Sequence, residues 1–314
     1  MGRVVVTGAA GFIGSHLSEH LLKCGYEVLG IDNFLAESYS QESKRKNLSA
    51  LLNEKKFTFI ELDLLTEIDP NIFKDGDCIV NEAAMPGLPL SWSNPNLYFQ
   101  VNTLLPVNIL SALGRVKLSR FIQISTSSVY GRFAVGDEKL DLNPISPYGV
   151  SKLAAEYMVK TFCENNKIPF NILRYFSVFG PRQRPDMAYS QIIHKLVKDE
   201  PLHIFGDGKQ SRTNTYVSDI ALGTNLAIEH ARNGEVYNLA GKTSVSLLEV
   251  IDFIAGELQI KNPKIIRMPE RVGDQKDTKG VFEKATTDLG YDPQMNFWDG
   301  LQKQIKYQSE ILGS

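Results

Sequence analysis

Cysteine is scarce in this chain: three in 314 residues, at Cys24, Cys78 and Cys163, far apart and without a CxxC pair. An odd, scattered set of thiols argues against a disulfide framework and a structural zinc site, and fits a reducing compartment, so a cytoplasmic setting is expected. An excess of either charge is also lacking. Lys and Arg number 34 against 36 Asp and Glu, for a net charge of −2. That balance carries no footprint for a nucleic-acid polymer or an anionic membrane surface. No stretch approaches the ~18 consecutive apolar residues of a membrane span, and the opening Met-Gly-Arg-Val-Val-Val-Thr has no apolar leader. One pattern suggests a metal, His16-Leu17-Ser18-Glu19-His20. It falls on an amphipathic helical stretch with no evident third ligand, so no metal site is expected.

What is present is a strand–helix rhythm. Short β-branched or apolar runs at Arg3–Thr7, Tyr26–Ile31, Phe57–Ile60, Asp77–Asn81, Arg120–Ser125 and Phe170–Tyr175 read as buried strands. Helical periodicity follows Phe12 and recurs over Asn102–Leu113 and Tyr148–Asn165. Repeated β-α-β units predict an α/β fold with a doubly wound parallel sheet of the Rossmann type. Beyond about Gly180 the pieces shorten. Helices are expected at Ala188–Lys198, Ser218–Ala231, Ser246–Leu258 and Trp298–Gln308, and strands near Leu202–Phe205 and Glu235–Leu239. The expected division is a cofactor-binding domain over residues 1–175 and a smaller mixed α/β substrate lobe over 176–314, with some chain exchanged between them.

The glycines are placed with purpose. Thr7-Gly8-Ala9-Ala10-Gly11-Phe12-Ile13-Gly14 joins the first strand to the first helix. Gly8 permits a sharp turn, Gly11 lets backbone N–H groups approach a pyrophosphate, and Gly14 lets helix and strand pack closely. Asp32 closes the second strand, where a carboxylate accepts from a ribose 2′-hydroxyl and repels a 2′-phosphate. Together they indicate NAD rather than NADP. Farther along, Tyr148 and Lys152 stand four apart at a helix start and so share a face. A nearby ammonium and the positive nicotinamide favour the phenolate, lowering the tyrosine from its ordinary ~10. Such a phenolate can take a proton from a sugar hydroxyl. The hydroxyl cluster Ser125-Thr126-Ser127-Ser128 follows a buried strand and can orient a substrate oxygen, or simply satisfy backbone groups.

The ordered set TGAAGFIGSHL, Asp63-Leu64, NEAA, ISTSSVYG, SPYGVSK and RYFSVFGPRQRPDM resembles the extended short-chain dehydrogenase/reductases, and among them the nucleotide-sugar epimerases and dehydratases. The resemblance implies that Gly8, Gly11, Phe12, Ile13 and Gly14 hold the NAD pyrophosphate. It implies Asp32 and Asn33 at the adenosine ribose and Asp63-Leu64 at the adenine, with Ala83, Tyr148 and Lys152 also touching the cofactor. Thr126, Tyr148 and Lys152 become the catalytic set. Ser127, Ser128, Ser177, Arg184, Arg212 and Arg271 become substrate contacts, the last two at the diphosphate. A homodimer through the helices near Asn96–Leu113 and Tyr148–Asn165 is also implied. Three positions depart from the family pattern: Asn81 for His, Ser177 for Asn, and Thr213-Asn214 for Asp-Phe.

The family's 4,6-dehydratases carry Asp-Glu directly after the catalytic Thr, and its decarboxylases Glu at the second place. Here Ser127 and Ser128 stand there, with hydroxyls unsuited to that acid–base work. The expectation is therefore a 4-epimerase passing through a transient 4-keto sugar, with a UDP-linked glucuronate or glucose as substrate. A dehydratase or decarboxylase of the same family is the alternative, and a non-catalytic NAD-binding sensor the alternative of another class.

Overall fold

The computed structural model describes residues 1–37, 40–270, 273 and 275–313. Seven parallel strands form its central sheet: β1 (Arg3–Thr7), β2 (Glu27–Asp32), β3 (Phe57–Glu61), β4 (Cys78–Asn81), β5 (Arg120–Thr126), β6 (Phe170–Tyr175) and β7 (Val236–Leu239). Their order is β7-β6-β5-β4-β1-β2-β3. The strands read as continuous apolar runs because both faces are covered. Val4 and Val6 enter the core beneath the helix Phe12–Lys23, whereas Val5 enters the core on the opposite face. Val4 pairs with Val28 on one side and Cys78 on the other. The chain changes winding direction at β1, between β4 and β2. In sheets of this kind that switch point opens a crevice beyond the carboxyl ends of the strands.

Most expected elements lie within two residues of their positions. The strand expected at Glu235–Leu239 differs in its partner. As β7 it closes the edge of the main sheet, with Val236 opposite Ile172 and Leu239 opposite Tyr175, instead of serving the smaller lobe. Chain also crosses the other way. Phe133–Gly136, too short and glycine-ended to be conspicuous, pairs in parallel with Asp277–Gly280 in a second sheet that also holds Ser211–Tyr216 and Thr243–Ser246.

The helix expected over Asn102–Leu113 starts earlier and is irregular. It runs from Pro95, widens into a π turn over Gln100–Leu104, and resumes as α-helix over Leu105–Ala112. Pro106 has no N–H to give the Asn102 carbonyl, and the turn opens there. Among the described residues no helix is long and apolar enough to cross a membrane.

Candidate active site

A cavity of about 850 Å³ opens at the carboxyl ends of the central strands. Gly8, Gly11, Phe12, Ile13, Gly14, Asp32, Asn33, Asp63, Leu64, Ala83, Thr126, Ser127, Ser128, Tyr148, Lys152, Ser177, Arg184 and Arg212 all line it. Arg271, expected at the diphosphate, lies outside the described residues.

The glycine loop forms one end. Gly8 has φ +69°, and a Cβ there would stand 2.9 Å from the Ala83 backbone nitrogen. A Cβ on Gly14 would run into the Gly8 carbonyl. Gly11 has ordinary extended backbone (φ −71°, ψ 173°) and leads into Phe12–Lys23 with no side-chain cap and no acid in the first turn. The first N–H groups of that helix are thus left for an anion. Asp32 accepts from Ala10 N at 3.1 Å and Phe34 N at 2.7 Å, and Lys44 Nζ lies 3.7 Å away. A dinucleotide fits this donor set: backbone amides at a helix start for phosphate, and a buried carboxylate for a ribose hydroxyl.

The other half of the site is built on the helix Pro147–Asn166. Ser146 accepts from Gly149 N at 3.1 Å and starts it with a proline in the first turn. This sets Tyr148 and Lys152 on one face, beside the end of β5. The Thr126 hydroxyl bonds the Tyr148 phenol and accepts from Ser128 N at 3.2 Å. Tyr98 stacks edge-on against the Tyr148 ring, at 6.1 Å and 82°. Asn102, in the π turn, donates to Met85 O at 3.0 Å and Ser151 Oγ at 2.9 Å, tying the outer helix to the one that carries Tyr148 and Lys152. π turns of this kind recur at functional sites.

In the protein alone, burial raises the Tyr148 phenol above its ordinary value, against the lowering expected from sequence. The Thr126 hydroxyl and the Arg184 guanidinium pull it down, and the Glu82 carboxyl pushes it up. Burial brings Lys152 down to about 8, while Glu82 and Glu156 act to raise it. Beneath the pair, Glu156 accepts from Arg174 Nη2 at 2.6 Å and Nε at 3.0 Å, and from Ser125. Arg174 donates onward to the Tyr130 hydroxyl at 2.9 Å.

The three departures have structural accounts. Asn81 accepts from Thr7 at 2.7 Å and donates to Gln123 at 2.9 Å, tying β1, β4 and β5 beneath the crevice. Thr213 is locked among Ser244 and Thr278, and Asn214 accepts from the Tyr189 hydroxyl at 2.7 Å. Ser177 lines the cavity. Arg212 is anchored by the backbone carbonyls of Ser211, Gln275 and Lys276. Arg184 holds Asp186 in a two-pronged contact, both at 2.9 Å. Glu19 of the zinc-like pattern is bound to Arg182 at 2.7 Å, and His16 meets the Phe12 carbonyl at 2.9 Å. Among the described residues no group of three or more His, Cys, Asp or Glu is arranged to hold a metal.

The model of the NAD-dependent epimerase/dehydratase family matches residues 4–240. The chain belongs to that family. Over 98% of both chains it is 39% identical to an uncharacterised UDP-glucose epimerase, YtcB, of Bacillus subtilis. It is 32% identical to a UDP-glucuronate 4-epimerase of Thermodesulfobacterium geofontis, covering 99% of this chain and 98% of the other. Its fold matches the Bacillus cereus UDP-glucuronic acid 4-epimerase crystallised with UDP-glucuronic acid and NAD, with TM-score 0.94, 39% identity, and 98% and 99% of the two chains covered.

Several cavity residues of this epimerase/dehydratase chain escape motif reading: Glu82, Lys44 and Gln275 line it. Gln275 donates to the Ser127 and Gly131 carbonyls at 3.2 and 2.8 Å, fastening the segment before the strand Asp277–Gly280 to the serine turn. For Glu82 the available signal was a carboxylate directly after a buried apolar strand.

Proposed function

We propose that the protein is an NAD-dependent nucleotide-sugar 4-epimerase acting on a UDP-linked hexose, with UDP-glucuronate preferred. The observation that carries this is the cavity wall beside Thr126 and Tyr148. Ser127 and Ser128 line it at the places where a dehydratase would need an acid and a base, and hydroxyls bind a carboxylate without supplying protons to C5 or C6. Arg184 is engaged by Asp186, so the two serines carry more of the C6 recognition than the arginine does.

Gly8, Gly11, Phe12, Ile13 and Gly14 would hold the cofactor's pyrophosphate, with Asp32 and Asn33 at its ribose, Asp63, Leu64 and Ala83 along the adenosine side, and Tyr148 and Lys152 near its reactive end. When bound, the oxidised nicotinamide supplies the hydride acceptor and a positive charge. Tyr148 takes the proton of the C4 hydroxyl, and the Thr126 hydroxyl steadies the phenolate through its bond to that oxygen. The charged Lys152 favours the anion. Arg212, with its guanidinium fixed by backbone carbonyls, grips the diphosphate, leaving the sugar free to turn. Inversion would be completed by return of the hydride to the opposite face of the turned 4-ketone, with Tyr148 giving the proton back to the C4 oxygen.

We also infer a homodimer through the helices Pro95–Ala112 and Pro147–Asn166. These two helices expose Phe99, Leu104, Val150, Tyr157 and Met158, and exposed apolar residues gathered on packed helices support an interaction site there. Three free thiols, with burial pushing Cys78 and Cys163 up to about 12, fit a cytoplasmic setting.

The test is turnover of UDP-glucuronate and UDP-glucose in D2O. Inversion at C4 without deuterium at C5, faster with the glucuronate, is expected. Equal or faster turnover of the neutral sugar would overturn the carboxylate preference, and deuterium at C5 the simple 4-epimerase.

A further inference from the structure

The turn Gly180-Pro181-Arg182-Gln183 carries an arginine that takes no part in the reaction proposed above. Gln183 N donates to Gly180 O at 3.1 Å, proline stands second, and Arg182 stands third with φ +66°. These are the marks of a type II turn, whose third position calls for glycine because a side chain there is strained. Five non-glycine residues among those described have positive φ. Lys167, Asp199 and Gln259 follow helix ends, where that conformation is common. Phe34 has its N–H held by Asp32 at 2.7 Å. Arg182 is held instead by its side chain. Nη1 donates to Ser15 Oγ at 3.0 Å, and Nη2 reaches both carboxylate oxygens of Glu19, at 2.7 and 2.9 Å.

Ser15 and Glu19 lie one turn apart on the helix Phe12–Lys23, Ser15 directly after Gly14 of the cofactor loop. On the other side, Gln183 and Arg184 line the cavity. The Gln183 side chain donates to Val178 O at 3.0 Å and accepts from Ser190 N at 3.1 Å and Gln304 Nε2 at 2.7 Å. The turn thus rests on the cofactor helix through Arg182 and on the helices Ala188–Val197 and Phe297–Gly313 through Gln183. The Arg182 and Glu19 side chains are 17% and 26% exposed, so their charge-assisted bonds are partly shielded from water and salt.

Resting on the reading of this cavity as shared by NAD and a sugar nucleotide, we propose that Arg182 is a positioning residue. Its clamp on Ser15 and Glu19 holds the turn in the left-handed form and so sets Gln183 and Arg184 at the cavity wall, in register with the cofactor helix. A turn that leaves this form carries Gln183 and Arg184 with it, whereas the glycine loop keeps its own geometry. Cutting the clamp therefore weakens the sugar nucleotide and spares NAD. Left-handed strain at one non-glycine residue lowers the binding-competent population about tenfold, and glycine is free of that strain.

The experiment compares Arg182→Ala with Arg182→Gly in the full-length chain. Both lose the clamp, but only alanine keeps the strain. UDP-glucuronate is titrated by calorimetry into the NAD-loaded protein, in a Tyr148→Phe background that stops the chemistry, and NAD into the cofactor-free protein. Arg182→Ala should weaken UDP-glucuronate about tenfold, with NAD affinity within about threefold of wild type. Arg182→Gly should recover most of that loss. With Tyr148 intact, KM should rise while kcat changes little. Unchanged UDP-glucuronate affinity in Arg182→Ala, with only the melting temperature lowered, would reduce the ion pair to a structural tie and overturn the proposal. An equal loss of NAD affinity, or a glycine variant no better than the alanine one, would overturn it too. If Arg182→Ala fails to fold, Glu19→Gln cuts the same clamp from the cofactor helix, and the split between the two ligands decides. The wild-type affinities test the reading of the site, and only the variant-to-wild-type ratios test Arg182, so the two failures are distinguishable.

Discussion

Glu156→Gln tests the foundation of the helix that carries Tyr148 and Lys152. The wild-type pair is enclosed, with side chains only 4% and 5% exposed for Arg174 and Glu156. The substitution keeps shape and volume while leaving the Arg174 guanidinium buried without a counter-charge. Breaking a buried pair from one side removes about 3–5 kcal/mol. The Gln carbonyl can still accept from one Arg174 nitrogen, and the Tyr130 hydroxyl remains as a partner, which places the expected loss near the lower end, about 3 kcal/mol. At an unfolding entropy of about 2.1 cal/mol/K per residue, this chain's melting temperature should fall by about 5 °C. Urea and thermal unfolding read both quantities. Replacing both partners by apolar side chains, Glu156→Leu with Arg174→Met, should recover most of the loss, because no charge is then stranded. A single-variant loss below about 1 kcal/mol, or a double variant no more stable than the single, would refute the view that uncompensated charge is the cause.

Three further outcomes are expected. Gly14→Ala places a methyl against the Gly8 carbonyl, so NAD affinity by calorimetry should fall at least about tenfold, with ~1–3 kcal/mol of stability lost to overpacking; wild-type affinity would contradict the cradle. His16 is held neutral, its value pushed to about 3 by burial and by Arg182. The unfolded chain therefore binds the extra proton between pH 3 and 6.5, and this contribution is complete above 6.5 and lost as pH falls toward 3. The stability gap between wild type and His16→Gln should thus narrow by about 2–3 kcal/mol from pH 7 to 4.5, and a gap independent of pH would count against it. Met158→Glu places a charge on the exposed apolar helix face and should shift sedimentation from dimer to monomer; an unchanged dimer would move the interface elsewhere.

The central sheet was legible because its strands are short, apolar and separated by helices of clear period. The glycine loop and the Tyr148–Lys152 spacing were legible because each is local. What escaped is non-local or polar. Ser211–Tyr216 looks like a loop in sequence, yet Thr213, Asn214 and Thr215 are buried, stabilised by hydrogen bonds and not by apolar contact. Phe133–Gly136 becomes a strand only because Asp277–Gly280 arrives beside it. Glu156 acquires meaning from Arg174, which a linear scan keeps apart from it. The Tyr148 phenol shows the same limit, since a lysine four residues away suggests activation, while the enclosure that opposes it belongs to the folded cavity.

The return of Val236–Leu239 to the edge of β6 bears on how the molecule comes into being. As synthesis proceeds, β6 is finished at Tyr175, but its neighbour emerges only after 60 further residues, 176–235, have been made. Until then an apolar strand edge lies open in the cell, a site for mispairing that chaperones would have to shield. The same threading constrains engineering. A fragment cut after Tyr175 would carry the dinucleotide loop and the Tyr148–Lys152 pair but expose the β6 edge, so chimeras of this enzyme should be joined at loops that leave β7 with its sheet.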